Sequence, residues 1–242
     1  MKKTLILLNI LIFMGTVSPS AQITTHKAQR SVQVFIEHVD RLGNDNLDYL
    51  EDEYTGTPYN NPIFLLGTIY ENNNAIASNY ALRYNAMADE IEVKETLYIE
   101  DSEAKTLTKS PDLYVKIMDE MFVFVPTEQS KQDPGYFKVL HVGNNYNLYK
   151  KISKKYFPAR KAQNSFEKDV SANFADRSTY YLVSQDGKFE KFEKSKNKRL
   201  KVFGDRQDEI KKYIKKGRLD ITDAEDLLKI VKYYDTIVLA AQ

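Results

Sequence analysis

Residues 80–94 read Tyr-Ala-Leu-Arg-Tyr-Asn-Ala-Met-Ala-Asp-Glu-Ile-Glu-Val-Lys, and the predicted fold is built outward from this stretch. Leu82 and Tyr84 alternate with polar residues before a bend, and Ile91 and Val93 alternate with charged residues after it. A period of two on both sides of a break is typical of antiparallel strands with one buried face. The stretch therefore predicts a β-hairpin that turns at about residues 86–88.

This hairpin also supplies the candidate binding residues. Arg83 points away from the apolar positions, and antiparallel pairing brings it opposite the acidic residues that follow the bend. Such a cross-strand pair predicts a partly exposed structural clamp, with anion binding as the alternative. The candidate binding residues are Arg83, Tyr84, Asn85, Asp89 and Glu90.

Short apolar runs surround the hairpin and predict an antiparallel meander. Expected strands lie at 63–71, 80–86, 89–95, 96–100, 104–108, 113–118, 120–125, 136–142, 146–152, 179–183 and 188–192. The segments Gly143-Asn-Asn145 and Gln185-Asp-Gly187 are typical of hairpin turns. Residues 158–176 are polar and predict an irregular connection.

The period changes after Lys194 and predicts two helices. Asp205 is expected to cap a helix over 206–216 that ends at Gly217. Thr222-Asp-Ala-Glu225 predicts a capping box before a second apolar stripe at three- and four-residue spacing. Strands followed by helices predict an α+β fold: a curved antiparallel β-meander or half-barrel with a C-terminal helical hairpin packed on it.

The first residues predict export. Lys2 and Lys3 precede a short apolar run, and small residues follow it, which is typical of a signal peptide over 1–21. Cleavage is expected after Ala21 or after Ser20. The predicted organisation continues with a tail over 22–53, a sheet region over 54–194 and a helical hairpin over 195–242. The tail contains an acidic loop and a possible helix over 32–42, where strand-like alternation is the other interpretation.

Composition excludes several kinds of chemistry. The chain has no cysteine, which removes disulfides, thiolate metal sites, thiol nucleophiles and a lipidated export anchor. Its 3 histidines have no metal-binding or catalytic spacing, and there is no nucleophile elbow or phosphate loop. The sequence predicts no catalytic residues, metal or cofactor. Asn44, Asn46 and Asp48 begin a calcium-loop pattern whose later positions fail, which leaves only a different kind of calcium site.

Charge is divided unevenly along the chain. Residues 22–130 hold 8 Lys and Arg against 19 Asp and Glu, whereas residues 131–242 hold 25 against 15. Two basic clusters stand out, at Lys150, Lys151, Lys154, Lys155, Arg160 and Lys161, and at Lys188, Lys191, Lys194, Lys196, Lys198, Arg199 and Lys201. Since export makes nucleic acid an unexpected partner, the basic half predicts an anionic cell-surface or protein partner. The other interpretation is that the two halves neutralise each other within one sheet.

Several motifs occur along the chain in a distinctive order: Gly56-Thr-Pro-Tyr59, Gly67-Thr-Ile-Tyr70, Leu82-Arg-Tyr-Asn85, Asp89-Glu-Ile-Glu-Val93, Thr179-Tyr-Tyr-Leu182, Glu209-Ile-Lys-Lys-Tyr-Ile214 and Glu225-Asp-Leu-Leu-Lys-Ile-Val-Lys-Tyr-Tyr234. In this combination the chain resembles a family of uncharacterised exported proteins of Bacteroidetes, flavobacteria in particular. The resemblance implies export and a similar fold, and it implies no activity.

Three functions are therefore carried forward. The leading prediction is a non-enzymatic binding or envelope-associated protein of the periplasm or cell surface. A small-molecule or lipid carrier would hold its ligand in an apolar cavity on the concave face of the sheet. A glycan hydrolase would use facing carboxylates, with Asp89, Glu90 and Glu92 as candidates, although a solvated strand face explains these acids better.

Overall fold

Antiparallel pairing dominates the computed structural model, which describes residues 36–37, 53–127, 133–164 and 166–239. The strands are β1 Ile36–Glu37, β2 Tyr54–Thr55, β3 Leu65–Glu71, β4 Asn74–Asn85, β5 Glu90–Lys94, β6 Lys105–Leu107, β7 Leu113–Ile117, β8 Glu120–Val125, β9 Gly135–His141, β10 Tyr146–Lys151, β11 Lys154–Phe157, β12 Ala172–Asp176, β13 Thr179–Ser184 and β14 Phe189–Lys191. The helices are α1 Lys196–Leu200, α2 Gln207–Gly217 and α3 Ala224–Leu239, with 3-10 turns at Asp101–Glu103 and Lys201–Arg206. The predicted α+β class is confirmed.

Two sheets organise the strands. The large sheet has 11 strands in the order β1-β6-β5-β4-β3-β7-β8-β9-β10-β13-β14, and all of its pairings are antiparallel. The small sheet has the order β11-β12-β2, in which β12 and β2 are parallel. Neighbours in sequence are mostly neighbours in the large sheet, as expected of a meander.

The hairpin predicted from residues 80–94 forms between β4 and β5. Asn85 pairs with Glu90, and Arg83 pairs with Glu92 across the strands. The alternating apolar side chains Leu82 and Tyr84 are buried in the main core, so the period of two identified the correct face. The structure extends β4 back to Asn74, where it pairs with β3 through two register shifts.

Two of the predictions about strands are wrong. Residues 96–100 form turns and bends rather than a strand, and Tyr98 is 96% exposed, so its side chain gains no burial by pairing. Residues 158–176 were predicted to be irregular, but they contain β12, in which Ala172 and Phe174 are buried. At Ile36–Glu37, where the sequence left helix and strand open, the structure has a strand that pairs with β6.

Other predictions lie outside the described residues. These are the signal peptide over 1–21, the acidic loop with its possible calcium site, and the remainder of the proposed helix over 32–42.

Two clusters of buried side chains form most of the core. The first is formed mainly by side chains of β3, β4, β5, β7 and β8, among them Tyr84 and Phe122, together with Tyr136 of β9. The second lies between β10, β13 and the helices and includes Phe203, Ile210 and Leu227. The C-terminal helices are therefore integral to the fold, since burying such side chains is a main source of stability.

The two predicted C-terminal helices are present as α2 and α3, but their ends differ from prediction. Asp205 lies inside the 3-10 turn and does not cap α2. Arg218, at φ 52°, is the left-handed residue that ends α2, one position after Gly217. Asp223, rather than Thr222, accepts the first free N–H groups of α3, from Glu225 at 2.9 Å and from the next residue at 3.0 Å. The predicted capping box does not form, because the carboxylate of Asp226 accepts the N–H of Asp220 at 2.9 Å, and the N–H of Asp223 donates to the Asp220 carbonyl.

Candidate functional site

Arg83 lies buried on the face of the hairpin opposite the main core, with 5% of its surface exposed. Its Nε and Nη2 donate to one oxygen of Glu92, at 3.0 and 2.7 Å. The guanidinium group of Arg83 lies between two aromatic rings. Its Cζ is 3.7 Å from the centroid of the Tyr59 ring and 4.1 Å from that of the Phe64 ring. A guanidinium held by a buried carboxylate and two rings has little surface left for a ligand.

A second cation extends this buried group. The Nζ of Lys94 lies 4.1 Å from the centroid of the Phe64 ring and donates to Asp101 at 2.7 Å. Arg83 donates to the other oxygen of Asp101 at 3.1 Å. The hydrogen bond from Lys94, together with Arg83, lowers the pKa of Asp101. The segment that follows β5 is thus fixed across the back of the hairpin by ionic contacts.

Asp89 joins the bend of the hairpin to β9 and β10. It accepts a hydrogen bond from the Tyr84 hydroxyl at 2.7 Å and from the backbone N–H of Tyr136 at 3.1 Å. The Nζ of Lys151 donates to its second oxygen at 2.9 Å. Burial and the neighbouring carboxylate raise the pKa of Tyr84, which keeps its hydroxyl protonated as a donor.

The two remaining candidates lie at the same bend. Asn85 accepts hydrogen bonds from the backbone N–H groups of Met87 and Ala88, and its amide donates to Glu92 at 3.2 Å. Glu90 is half-buried on β5 opposite Asn85. The structure therefore brings all five sequence candidates together, and their contacts hold the hairpin and its neighbours in place. Their role as binding residues stays a prediction.

A shallow pocket opens where β3 begins. It has a volume of about 350 Å³, and its walls include Asn60, Leu65, Met118 and Glu120. Asn60 donates to Glu120 at 2.8 Å, and Lys138 of β9 pairs with the same carboxylate. These contacts connect the segment before β3 with β8 and β9.

A larger cleft lies between the sheet and the helical layer. It has a volume of about 540 Å³ and is bounded by β10, β13 and β14 on one side and by residues 201–206 on the other. Sequence analysis missed this cleft, because its two walls are far apart in the chain and neither contains a recognisable motif.

Asp235 of α3 fixes the helical layer to the β9–β10 turn. Its carboxylate accepts backbone N–H groups from Asn144 at 2.8 Å, Asn145 at 2.7 Å and Tyr146 at 2.9 Å. Burial by itself would raise the pKa of Asp235, but these three donors outweigh burial and lower it. Gly143 is required at this turn, because a β-carbon there would collide with the same carboxylate.

The two basic clusters predicted from sequence are largely occupied by internal contacts. Lys151 binds Asp89, Lys191 pairs with Asp133 at 3.1 Å, and Lys196 pairs with Asp220 at 2.9 Å. Arg199 donates to two backbone carbonyl groups. Much of this positive charge therefore stabilises the fold.

A third basic surface was not predicted from the sequence. We call it the α2 basic face, and it consists of Lys211, Lys212, Lys215, Lys216 and Arg218, all of them exposed. Lys211 pairs with Asp208 at 3.0 Å, and the other four cations have no ion-pair partner among the described residues. The repeated Ile-Lys-Lys pattern at helical spacing was the signal that identifies it.

The unequal charge of the chain is preserved in the sheet. In the described residues, positions 53–127 hold 5 Lys and Arg against 12 Asp and Glu, and positions 133–239 hold 24 against 15. Strands β1 and β3–β8 from the acidic half lie at one side of the large sheet, and β9, β10, β13 and β14 lie at the other. Ion pairs of Glu120 with Lys138 and of Asp89 with Lys151 join the two halves.

Comparisons with protein-family models, curated proteins and solved structures find no match to this chain. Across the described ranges, no cluster of three or more acidic or histidine side chains is placed to hold a metal ion. None of the helices in the described part of the chain is long and apolar enough to cross a bilayer.

Proposed function

We propose that this chain is an exported, non-enzymatic binding protein of the cell envelope that engages an anionic partner through the α2 basic face. The observation that carries this proposal is five exposed cations on one short helix and at its end. Lys211 and Lys215, like Lys212 and Lys216, stand four residues apart, where like charges repel and weaken a helix. An anionic partner would relieve that repulsion.

The proposal includes a curved sheet in the form of a half-barrel. Adjacent strands of a sheet twist with a fixed hand, and a sheet of 11 strands accumulates that twist. The resemblance to exported proteins of Bacteroidetes and the signal-like first 21 residues support export. Mass spectrometry of the native protein should find a chain that begins at Gln22 or Ala21, and a chain that begins at Met1 would contradict export.

The two rival functions have less support. A carrier needs an apolar cavity, whereas in the main core Phe122 and Tyr136 are each 1% exposed and both pack against the ring of Tyr84. A hydrolase needs free facing carboxylates, yet Glu92 binds Arg83 and Asp89 binds Lys151.

The test is binding to dextran sulfate, with neutral dextran as the reference polymer. The triple variant Lys212→Gln, Lys215→Gln, Lys216→Gln should bind dextran sulfate about tenfold or more weakly, because three unpaired charges are lost. The matched control changes Lys155, Lys161 and Lys168 to Gln, since these lysines are equally exposed but lie in or beside the small sheet. Equal losses in both triple variants would mean that net charge, and not the α2 basic face, drives binding.

A further inference from the structure

The cleft between the sheet and residues 201–206 has the size of a small-molecule site. Its volume of about 540 Å³ lies within the range of about 300–1,000 Å³ usual for ligand pockets. It is distinct from the α2 basic face and from the Arg83 hairpin, and none of the contacts described for those regions involves its walls.

The floor of the cleft is aromatic. Tyr146 of β10 and Tyr234 of α3 have ring centroids 4.8 Å apart, and Phe203 lies 4.9 Å from Tyr234 in an edge-to-face arrangement. Phe203 and Tyr234 are buried, whereas Tyr146 is half-buried and keeps part of its ring accessible from the cleft. A fixed, partly exposed tyrosine ring offers an apolar face on which a flat ligand ring can rest.

The rim carries equal numbers of acids and bases. They are Asp186, Lys188 and Glu190 on the sheet side, and Lys201, Asp205 and Arg206 on the opposite side. Lys188 forms an ion pair with Glu190, and the Ser184 hydroxyl donates to Asp186. Because the charges balance, binding to the rim gives an ion of either sign little free energy. A hydroxyl group of a ligand can instead donate to the carboxylates of the rim and accept from its cations.

The wall opposite the sheet depends on one glycine. Gly204 has φ 51° and ψ −129° inside the Lys201–Arg206 turn, a left-handed conformation that L side chains rarely adopt. A β-carbon at Gly204 would meet open space, so the conformation and not crowding selects glycine here. Lys201 lies before this kink and Asp205 after it, and both line the cleft.

From the aromatic floor, the balanced rim and the volume together, we propose that this cleft binds an uncharged, hydroxyl-rich ligand, namely a short neutral saccharide. The Tyr146 ring would support one face of a sugar ring, and the paired acids and bases of the rim would bind its hydroxyl groups. This proposal does not depend on the anionic partner of the α2 basic face.

Saturation-transfer NMR on the full mature chain tests the proposal, with maltotriose, cellotriose and triacetylchitotriose as neutral probes. Trigalacturonate and triglycine serve as an anionic saccharide and a peptide for comparison. At least one neutral trisaccharide should receive saturation, and its Kd should change less than about twofold when salt is raised to about 0.5 M, because no net charge is neutralised.

Two double variants then test whether the ligand binds in this cleft. Lys201→Ala combined with Asp205→Ala removes one donor and one acceptor from the rim and should weaken binding about tenfold. Lys198→Ala combined with Glu193→Ala removes the same kinds of group from exposed positions outside the cleft and should leave Kd unchanged. No transfer to any neutral trisaccharide, stronger binding of trigalacturonate or triglycine, or equal losses in both double variants would overturn the proposal.

Discussion

Replacing Arg83 with Met should strongly lower the free energy of unfolding, although Arg83 is a single residue on one strand. The substitution keeps most of the side-chain volume between the rings of Tyr59 and Phe64 but removes the charge. Glu92, which is 4% exposed, would then remain buried with its cationic partner gone. Breaking a buried ion pair from one side is costly because the remaining charge stays out of water.

The expected magnitude follows from that burial. Removing one partner of a buried pair costs about 3–5 kcal/mol of unfolding free energy, whereas an exposed cross-strand pair contributes about 0.2–1 kcal/mol. The double variant Arg83→Met, Glu92→Met removes both charges and should recover at least about 2 kcal/mol of the loss, since apolar replacements of buried pairs are often tolerated. Arg83 also donates to Asp101, so the double variant does not recover that part of the loss, while Lys94 keeps its own contact with Asp101.

Urea unfolding of the two single variants and the double variant measures this coupling directly. The loss in Arg83→Met should also change by less than about 0.5 kcal/mol between low and high salt, because buried pairs are weakly screened. Purely additive losses would refute the clamp. The clamp would also be refuted if Arg83→Met kept the normal free energy of unfolding but no longer bound an anionic ligand. Arg83 would then be a binding residue.

Three further predictions concern the rest of the fold. Asp235→Asn should lower the free energy of unfolding by about 2–4 kcal/mol at neutral pH. Because the pKa of Asp235 is lowered in the folded state, its carboxylate stabilises the wild type fully above about pH 4, and this stabilisation is lost below that pH. Urea unfolding at a series of pH values should therefore show the difference between wild type and variant shrinking in acid. Leu227→Ala should cost about 2–5 kcal/mol and Lys229→Ala less than about 0.5 kcal/mol, and equal midpoints in denaturant would mean that the buried face of α3 is assigned wrongly. Gly135→Ala should cost at least about 1 kcal/mol more than Gly187→Ala in thermal unfolding, because both have positive φ but only Gly135 has an ion pair where the β-carbon would lie.

Local periodicity predicted the parts of the fold that depend on neighbouring residues. The β4–β5 hairpin and the apolar faces of α2 and α3 follow from patterns within a few residues of each other. By contrast, β12 was missed because its polar flanks conceal a strand that pairs with β11 and, in parallel, with the distant Tyr54–Thr55. Pairing between segments so far apart leaves no trace in a local pattern.

The candidate site shows the same limit. Sequence pairing placed Arg83 opposite the acids of β5, and the structure has Glu92 at that position. The sequence predicted this pair to be partly exposed, yet it is buried, because Tyr59 and Phe64 cover it. Both residues come before β3, and no local pattern places them over the hairpin. The cleft beside residues 201–206 could not be predicted at all, since its walls meet only after the sheet and helices have packed.

The division of the large sheet into an acidic and a basic side gives the molecule an electric dipole moment that its net charge of +1 conceals. In the non-uniform field near a charged surface, a dipole experiences a torque as well as a force. The protein would therefore rotate as it approaches an anionic surface, and the side that carries β9, β10, β13, β14 and the helices would arrive first. Such an alignment shortens the search for a productive encounter, and added salt removes it as the field is screened over shorter distances.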